Sequence, residues 1–167
     1  LTEPPRSVCL LRLSAIGDTC HVVPLLRALQ RAWPACRFTW VIGRIEERLM
    51  RLLPGVEFST VDKRAGWRSM IALRRACAQR EFDLLLHLQL ALRASLHATQ
   101  IPARIRLGFD RARAREGQWL FSNAQIPAAT HEHVLDSFLG FARALGVDPG
   151  TPCWNLALPA DTLAYAS

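Results

Sequence analysis

Apolar and polar positions along the chain follow two periods in turn. Residues 8–13, VCLLRL, form a nearly continuous apolar run that predicts a buried strand. A turn of small residues follows, Ser14-Ala15-Ile16-Gly17-Asp18, and then Val22, Leu26, Leu29 and Trp33 recur at the spacing of a helix packed on a sheet. This predicts a helix over about residues 21–33 that Pro34 ends. Pro24 constrains it. With Asp18 as N-cap the proline would stand sixth in the helix, where its missing N–H and ring clash are costly, so the helix either starts later or bends.

The same alternation continues. Residues 36–42 (CRFTWVI) read as a second strand, 44–53 as a short helix closed by Pro54-Gly55, and 56–61 as a third strand. A basic turn around Lys63 and Arg64 leads into a helix over 67–80, with Met70, Leu73 and Cys77 inward and Arg68 and Arg75 outward. Residues 83–89 (DLLLHLQ) have the unbroken apolar character of a strand covered on both faces. A helix over 91–99 and a fifth strand over 104–108 follow. Residues 109–125 show little apolar periodicity and several arginines, and read as a long functional loop with a short helical turn. The last helix spans about 131–145 on Val134, Phe138, Phe141 and Leu145, and Gly146 ends it. At least four strand-then-helix alternations call for an α/β fold: a mostly parallel, Rossmann-like sheet with right-handed crossovers and helices on both faces.

Composition narrows this further. A chain of 167 residues, 50% hydrophobic and 21% charged, has room for one ordinary domain and its core, which excludes a disordered class. No apolar run reaches about 18 residues and the opening LTEPPRS lacks the order of a signal peptide, so a cytoplasmic location is expected. The chain opens at Leu1 without a methionine and stops where residues 163–167 could begin a helix, which suggests a piece of something longer. Cysteines at 9, 20, 36, 77 and 153 have no CxxC pairing and read as reduced thiols packed as small hydrophobes, with no disulfide and no metal site.

The net charge of +7 rests on arginines, with Lys63 the single lysine. A planar guanidinium grips phosphate or carboxylate through two bonds, so the balance fits an anionic partner such as nucleotide, lipid phosphate or nucleic acid. A compositional bias of the genome would give the same count.

The chemistry concentrates where the first strand meets the first helix. In an open parallel sheet the carboxyl end of a strand and the amino end of the next helix form one lip of the ligand crevice. Asp18 stands there, either as a helix-capping residue or as a general base. The turn carries one glycine, Gly17, and so is neither a dinucleotide fingerprint nor a P-loop. His131 and His133 could hold a metal only with further ligands that the sequence does not offer. His133 reads instead as the start of the last helix, and His87 as a packed strand residue.

Taken together and in order, RLSAIGDTCHVVPLLRALQRAWP, FTWVIG, FDLLLHLQLALRAS, RIRLGFDRARAREGQWLF and HVLDSFLGFARALGV resemble the amino-terminal domain of the ADP-heptose:lipopolysaccharide heptosyltransferases, over about residues 8–147. The resemblance implies the N-terminal half of a GT-B glycosyltransferase: an acceptor-side domain facing a second domain that holds most of the nucleotide sugar. Residues 1–167 would then be one Rossmann-like domain, with a core over 7–150 and the start of the interdomain connection over 151–167. The nucleotide-sugar domain would lie outside, and this piece by itself is expected not to turn over.

The implied reaction is inverting and needs no metal or cofactor; it moves heptose from ADP-heptose to a lipid A-Kdo type acceptor of the lipopolysaccharide inner core. Peripheral attachment to the inner face of the inner membrane would suit such an acceptor. Asp18 matches the family's proposed catalytic base, with Ser14 and Gly17 in the same loop and His21 where the family carries a histidine beside the acid. Lys63, Arg64 and Arg68 fall in the family's mobile basic segment that touches the acceptor. Arg115 of the ARE triplet matches an arginine near the acceptor, while Arg111 and Arg113 read as surface charge. Gln89 stands where the family often writes DLQG. Here both the acid and the glycine are replaced, which puts close backbone approach to a ligand in doubt.

Other classes remain to be weighed. A relative using another nucleotide sugar fits the same residues. A freestanding nucleotide-binding module lacks its glycine-rich phosphate loop, and a nucleic-acid binder lacks basic residues interleaved with aromatics.

Overall fold

Six strands make one parallel sheet: β1 (Ser7–Leu11), β2 (Arg37–Gly43), β3 (Glu57–Val61), β4 (Phe82–His87), β5 (Ala103–Gly108) and β6 (Ala124–Gln125), in the order β3-β2-β1-β4-β5-β6. The computed structural model describes residues 3–129 and 133–156, except for the side chain of Arg115. The helices are α1 (Ile16–Ala32), α2 (Arg44–Met50), α3 (Trp67–Cys77), α4 (Leu92–Ala98) and α5 (Val134–Ala144).

Side-chain alternation divides the core in two. Val8 and Leu10 of β1, with Leu84, Leu86 and Leu88 in and after β4, pack with Val22, Leu25, Leu26 and Leu29 of α1 and Phe138 and Phe141 of α5. Cys9, Leu11 and Leu85 face the other way, onto Leu73 and Cys77 of α3 and Ala94 and Ala98 of α4. The central strands β1 and β4 are therefore buried on both sides, which is why they read as continuous apolar runs.

The strand order places the site. From β1 the chain winds outward through β2 and β3, then returns to lay β4 on β1's other side. That reversal opens a crevice at the carboxyl ends of β1 and β4, and residues 12–18 and 88–91 lie at its mouth.

Three elements differ from the sequence expectation. The first helix starts at Ile16, five residues before the expected residue 21, so Asp18 is its third residue and Ala15 occupies the N-cap without any side-chain cap. Pro24 lies inside the helix. A sixth strand, only two residues long, completes the sheet edge where a loop was expected, preceded by a 3₁₀ segment at Arg115–Phe121 that breaks at Glu116 and Gly117 in left-handed conformations. The expected helix start at His131 lies outside the described residues. Helix α5 begins at Val134, with His133 as N-cap accepting from the Leu135 amide at 3.2 Å.

Candidate active site

Arg12 follows β1 directly, and its guanidinium decides the local geometry. One arm donates to the Leu88 carbonyl at 2.6 Å and the other is paired with the Asp18 carboxylate. The arginine side chain is 11% exposed and that of Asp18 39%, so the cation is held inside while its acid partner reaches solvent. The ring of Phe138 lies under the guanidinium at 5.5 Å. Burial lowers the Arg12 pKa from its usual value, and Asp18 opposes that shift through charge and hydrogen bonding.

A relay of glutamines holds the strand ends together. Gln89 Oε1 accepts from the Leu13 amide at 2.7 Å, and its Nε2 donates to the Ser14 hydroxyl at 3.3 Å. Ser14 and Gln89 thus fix the loop that carries Asp18. Gln118, fully buried, donates to the carbonyls of His87 at 2.9 Å and Gln89 at 3.0 Å and accepts from the Phe109 amide at 3.2 Å. It ties β4, β5 and the 3₁₀ segment into one rim.

In front of Asp18 lies a cavity of about 480 Å³ whose walls include Arg12, Phe109, Arg113, Ser137 and Phe138. Its floor is aromatic: Phe109 stands edge-on to Phe141 at 5.0 Å and 6.4 Å from Phe138. Arg113 lies over Phe109 at 5.7 Å, pairs with Asp110 and donates to the Pro127 carbonyl at 2.8 Å. An aromatic floor suits a sugar, since ring faces pack on apolar C–H groups, and the two guanidiniums at its edge are held by partners of their own, Arg12 by Asp18 and the Leu88 carbonyl and Arg113 by Asp110 and the Pro127 carbonyl. Two other hollows, of about 250 and 390 Å³, open at the amino ends of the strands, away from this chemistry.

The expected site residues separate into groups. Asp18, Ser14, Gln89 and the exposed Gly17 share the loop region after β1 and β4. His21 turns toward the last helix instead: its ring meets that of His133 edge-on at 5.4 Å. Lys63 is committed to Glu46 at 2.8 Å, a nearly buried acid that sits against Gly43, where a Cβ would collide with both the Glu46 carboxylate and the Leu13 carbonyl. Arg64 and Arg68 stand exposed, with Arg68 over the Trp67 ring at 5.9 Å. Arg115 begins the 3₁₀ segment, and its side chain lies outside the described residues.

Arg113 corrects the reading of it as surface charge, because its guanidinium is 20% exposed and lines the cavity. Arg111 does stand exposed, over Trp119 at 4.5 Å. Sequence reasoning missed Arg12, Arg113 and Gln118 as site builders. The one local signal was an arginine interrupting the apolar run of residues 8–13. Among the described residues, no group of three His, Cys, Asp or Glu side chains is arranged to hold a metal.

The family model of glycosyltransferase family 9 (heptosyltransferase) matches residues 70–167. The chain belongs to glycosyltransferase family 9. It is 39% identical over 165 residues to the lipopolysaccharide core heptosyltransferase OpsX of Haemophilus influenzae, covering 99% of this chain and 48% of that protein. It is also 27% identical over 158 residues to lipopolysaccharide heptosyltransferase 1 of Salmonella typhimurium, covering 84% of this chain and 48% of that one. The chain spans about half the length of the curated relatives it matches.

Among solved structures, the E. coli heptosyltransferase WaaC with ADP-2-deoxy-2-fluoro heptose superposes with a TM-score of 0.81 at 23% identity, over 93% of this chain and 56% of that one. A family 9 glycosyl transferase from Veillonella parvula superposes with a TM-score of 0.78 at 23% identity, over 96% and 47% of the two chains. At that identity the likeness shows the family 9 fold, a parallel α/β sheet with helices on both faces.

Proposed function

We propose that this domain is the acceptor-binding half of a glycosyltransferase that moves heptose from ADP-heptose to the inner core of lipopolysaccharide, with Asp18 as general base. The observation that carries the proposal is the placement of the Asp18 carboxylate at the strand reversal, held by Arg12 and facing an aromatic-floored cavity rimmed by guanidiniums. The 39% identity to a lipopolysaccharide core heptosyltransferase supports the substrate class.

In the proposed step, a hydroxyl of the acceptor lies within hydrogen-bond reach of Asp18, ~2.6 to 3.2 Å. Its oxygen attacks the anomeric carbon of the heptose from the side opposite the diphosphate. The new C–O bond forms as the bond to the diphosphate breaks, ADP leaves with the electron pair, and the hydroxyl proton passes to Asp18. The anomeric configuration inverts. Arg12 fixes the carboxylate, Ser14 and Gln89 hold its loop, and Gly17 leaves the approach open. Arg64, Arg68 and Arg115 meet the negative charge of a lipid A-Kdo type acceptor, with Lys63 bracing their turn from Glu46.

Residues 1–167 form a single acceptor-side unit in this reading, and the nucleotide sugar is held mainly by the half of the protein outside this chain. The enzyme works in the cytoplasm against a membrane-borne acceptor. Among the described residues no helix is long and apolar enough to cross a membrane, which fits peripheral association with the inner face of the inner membrane.

The test is to express the full-length protein and follow transfer from ADP-heptose to inner-core acceptors. Transfer that requires ADP-heptose and an inner-core acceptor is the expected result. Turnover only with another nucleotide sugar would reassign the donor.

A further inference from the structure

The layer formed by α3 and α4, on the side of the sheet away from α1 and α5, carries an uncovered surface of mixed apolar and cationic character. The helices are joined side by side by the Ser69 hydroxyl against His97 Nε2 at 2.9 Å, and Arg93 of α4 donates to the Lys63 carbonyl, in the turn before α3, at 3.1 Å. Ser69, Leu73 and Cys77 of α3 and Ala94, Ser95 and Ala98 of α4 turn inward. At the 100° step of a helix, the opposite stripe of α3 bears Trp67, Ile71, Arg68, Arg74 and Arg75, and that of α4 bears Leu92 and Leu96.

The apolar members are strongly exposed: Trp67 67%, Ile71 40%, Leu92 45% and Leu96 40%. The charged members are all of one sign, since residues 63–80 and 84–109 contain no Asp or Glu. A solvated protein face ordinarily mixes charges. A tryptophan and aliphatic residues among arginines, with no carboxylate on either helix and Glu116 at the edge turned onto the Leu92 amide at 2.6 Å, make the pattern of a surface that lies in the headgroup boundary of an anionic bilayer.

We infer that the outward face of α3 and α4 is a membrane-docking surface for an anionic leaflet, with Trp67, Ile71, Leu92 and Leu96 entering the interface and Arg74, Arg75 and Arg93 meeting lipid phosphates. The inference rests on the proposed function only in that a lipid-borne acceptor gives the docking a purpose. The basic turn at Lys63 and Arg64 leads directly into α3, so docking would hold the site's rim at the level where such an acceptor's charged groups emerge.

The experiment is co-sedimentation of the full-length protein with vesicles of phosphatidylcholine alone and of phosphatidylcholine mixed with phosphatidylglycerol. Binding to the mixed vesicles only, falling steeply with salt, is the expected result. Arg74→Gln and Arg75→Gln each lower binding about fivefold. Ile71→Ser with Leu96→Ser lowers it further, and the blue shift of tryptophan emission on binding is lost in Trp67→Phe. Transfer to a delipidated, water-soluble acceptor is unchanged in Arg75→Gln and in Ile71→Ser with Leu96→Ser.

Vesicle binding that survives these substitutions would overturn the inference. So would equal binding to neutral vesicles, preference for nucleic acid over vesicles, or a change of oligomeric state in the apolar variant with vesicle binding retained. Loss of transfer in an Asp18 variant bears on the active site alone, so the two readings fail separately.

Discussion

Arg12 reaches from the end of β1 to the Asp18 carboxylate in the first turn of α1, and its other arm is fixed on the Leu88 carbonyl after β4. The pair bridges the two central strands and aims the acid. Replacing Arg12 by Met should therefore lower kcat about a hundredfold with little change in KM for the acceptor, since misplacing a reacting group by about an ångström costs that much. Arg12→Lys keeps the charge without the fork and should recover only part of the loss. Steady-state kinetics on the full-length protein check this, and an effect confined to KM would contradict it.

Gly17 gives a prediction of opposite character. A Cβ there would meet nothing within 4 Å, and the residue lies in the first turn of α1. Gly17→Ala should leave the fold as stable or up to about 1 kcal/mol more stable, because alanine is the better helix former. Acceptor KM should rise, because the open space beside Asp18 is where the proposed substrate lies. Thermal unfolding and acceptor titration together distinguish this from a folding defect.

His87 stands fully buried in β4, and neither ring nitrogen has a partner among the described residues. Burial, with a smaller contribution from Arg106, lowers its pKa from 6.5 to about 4. The unfolded chain takes up this proton first, so the stability due to the neutral ring is complete above pH 6.5 and is lost as pH falls toward about 4. The loss should be on the order of 2 to 3 kcal/mol by pH ~4.5. Urea unfolding of wild type and His87→Leu at that pH and near neutrality should show the pH dependence shrinking by this amount in the variant.

Pro24 has no N–H to offer the Cys20 carbonyl one turn earlier, and the Trp154 indole donates there instead at 2.9 Å. Trp154→Phe should destabilise the domain by about 1 kcal/mol. In a Pro24→Ala background the backbone can make that bond itself, and the cost of Trp154→Phe should shrink. A double-mutant cycle by denaturant unfolding measures the coupling, and an unchanged cost would show that the indole contributes by packing alone.

These relationships mark what could be read from the chain. Strands β1 and β4 were legible because burial on both faces leaves no polar alternation, and α3 and α5 because each has one apolar stripe. The start of α1 was not, because Ala15 at the N-cap makes no side-chain cap and so leaves no capping signal. The Cys20 carbonyl that Pro24 leaves without its helical donor is met by a tryptophan far along the sequence, which no local rule anticipates. Asp18 was legible from its place after a strand. Arg113 was not, because it reads as surface charge until the fold sets it over Phe109, and Arg12 shows only as a polar residue in an apolar run until the fold sets it over Phe138. Gln118 lies in a stretch without periodicity, and only the meeting of the β4 and β5 ends explains it.

The central claim is that Asp18 removes the acceptor's proton. Transfer from ADP-heptose to an inner-core acceptor by the full-length protein, wild type against Asp18→Asn, tests it most directly. The account predicts that kcat falls by about two to four orders of magnitude, while the folded state and vesicle binding are retained. Turnover of the Asn variant within a few-fold of wild type would contradict it.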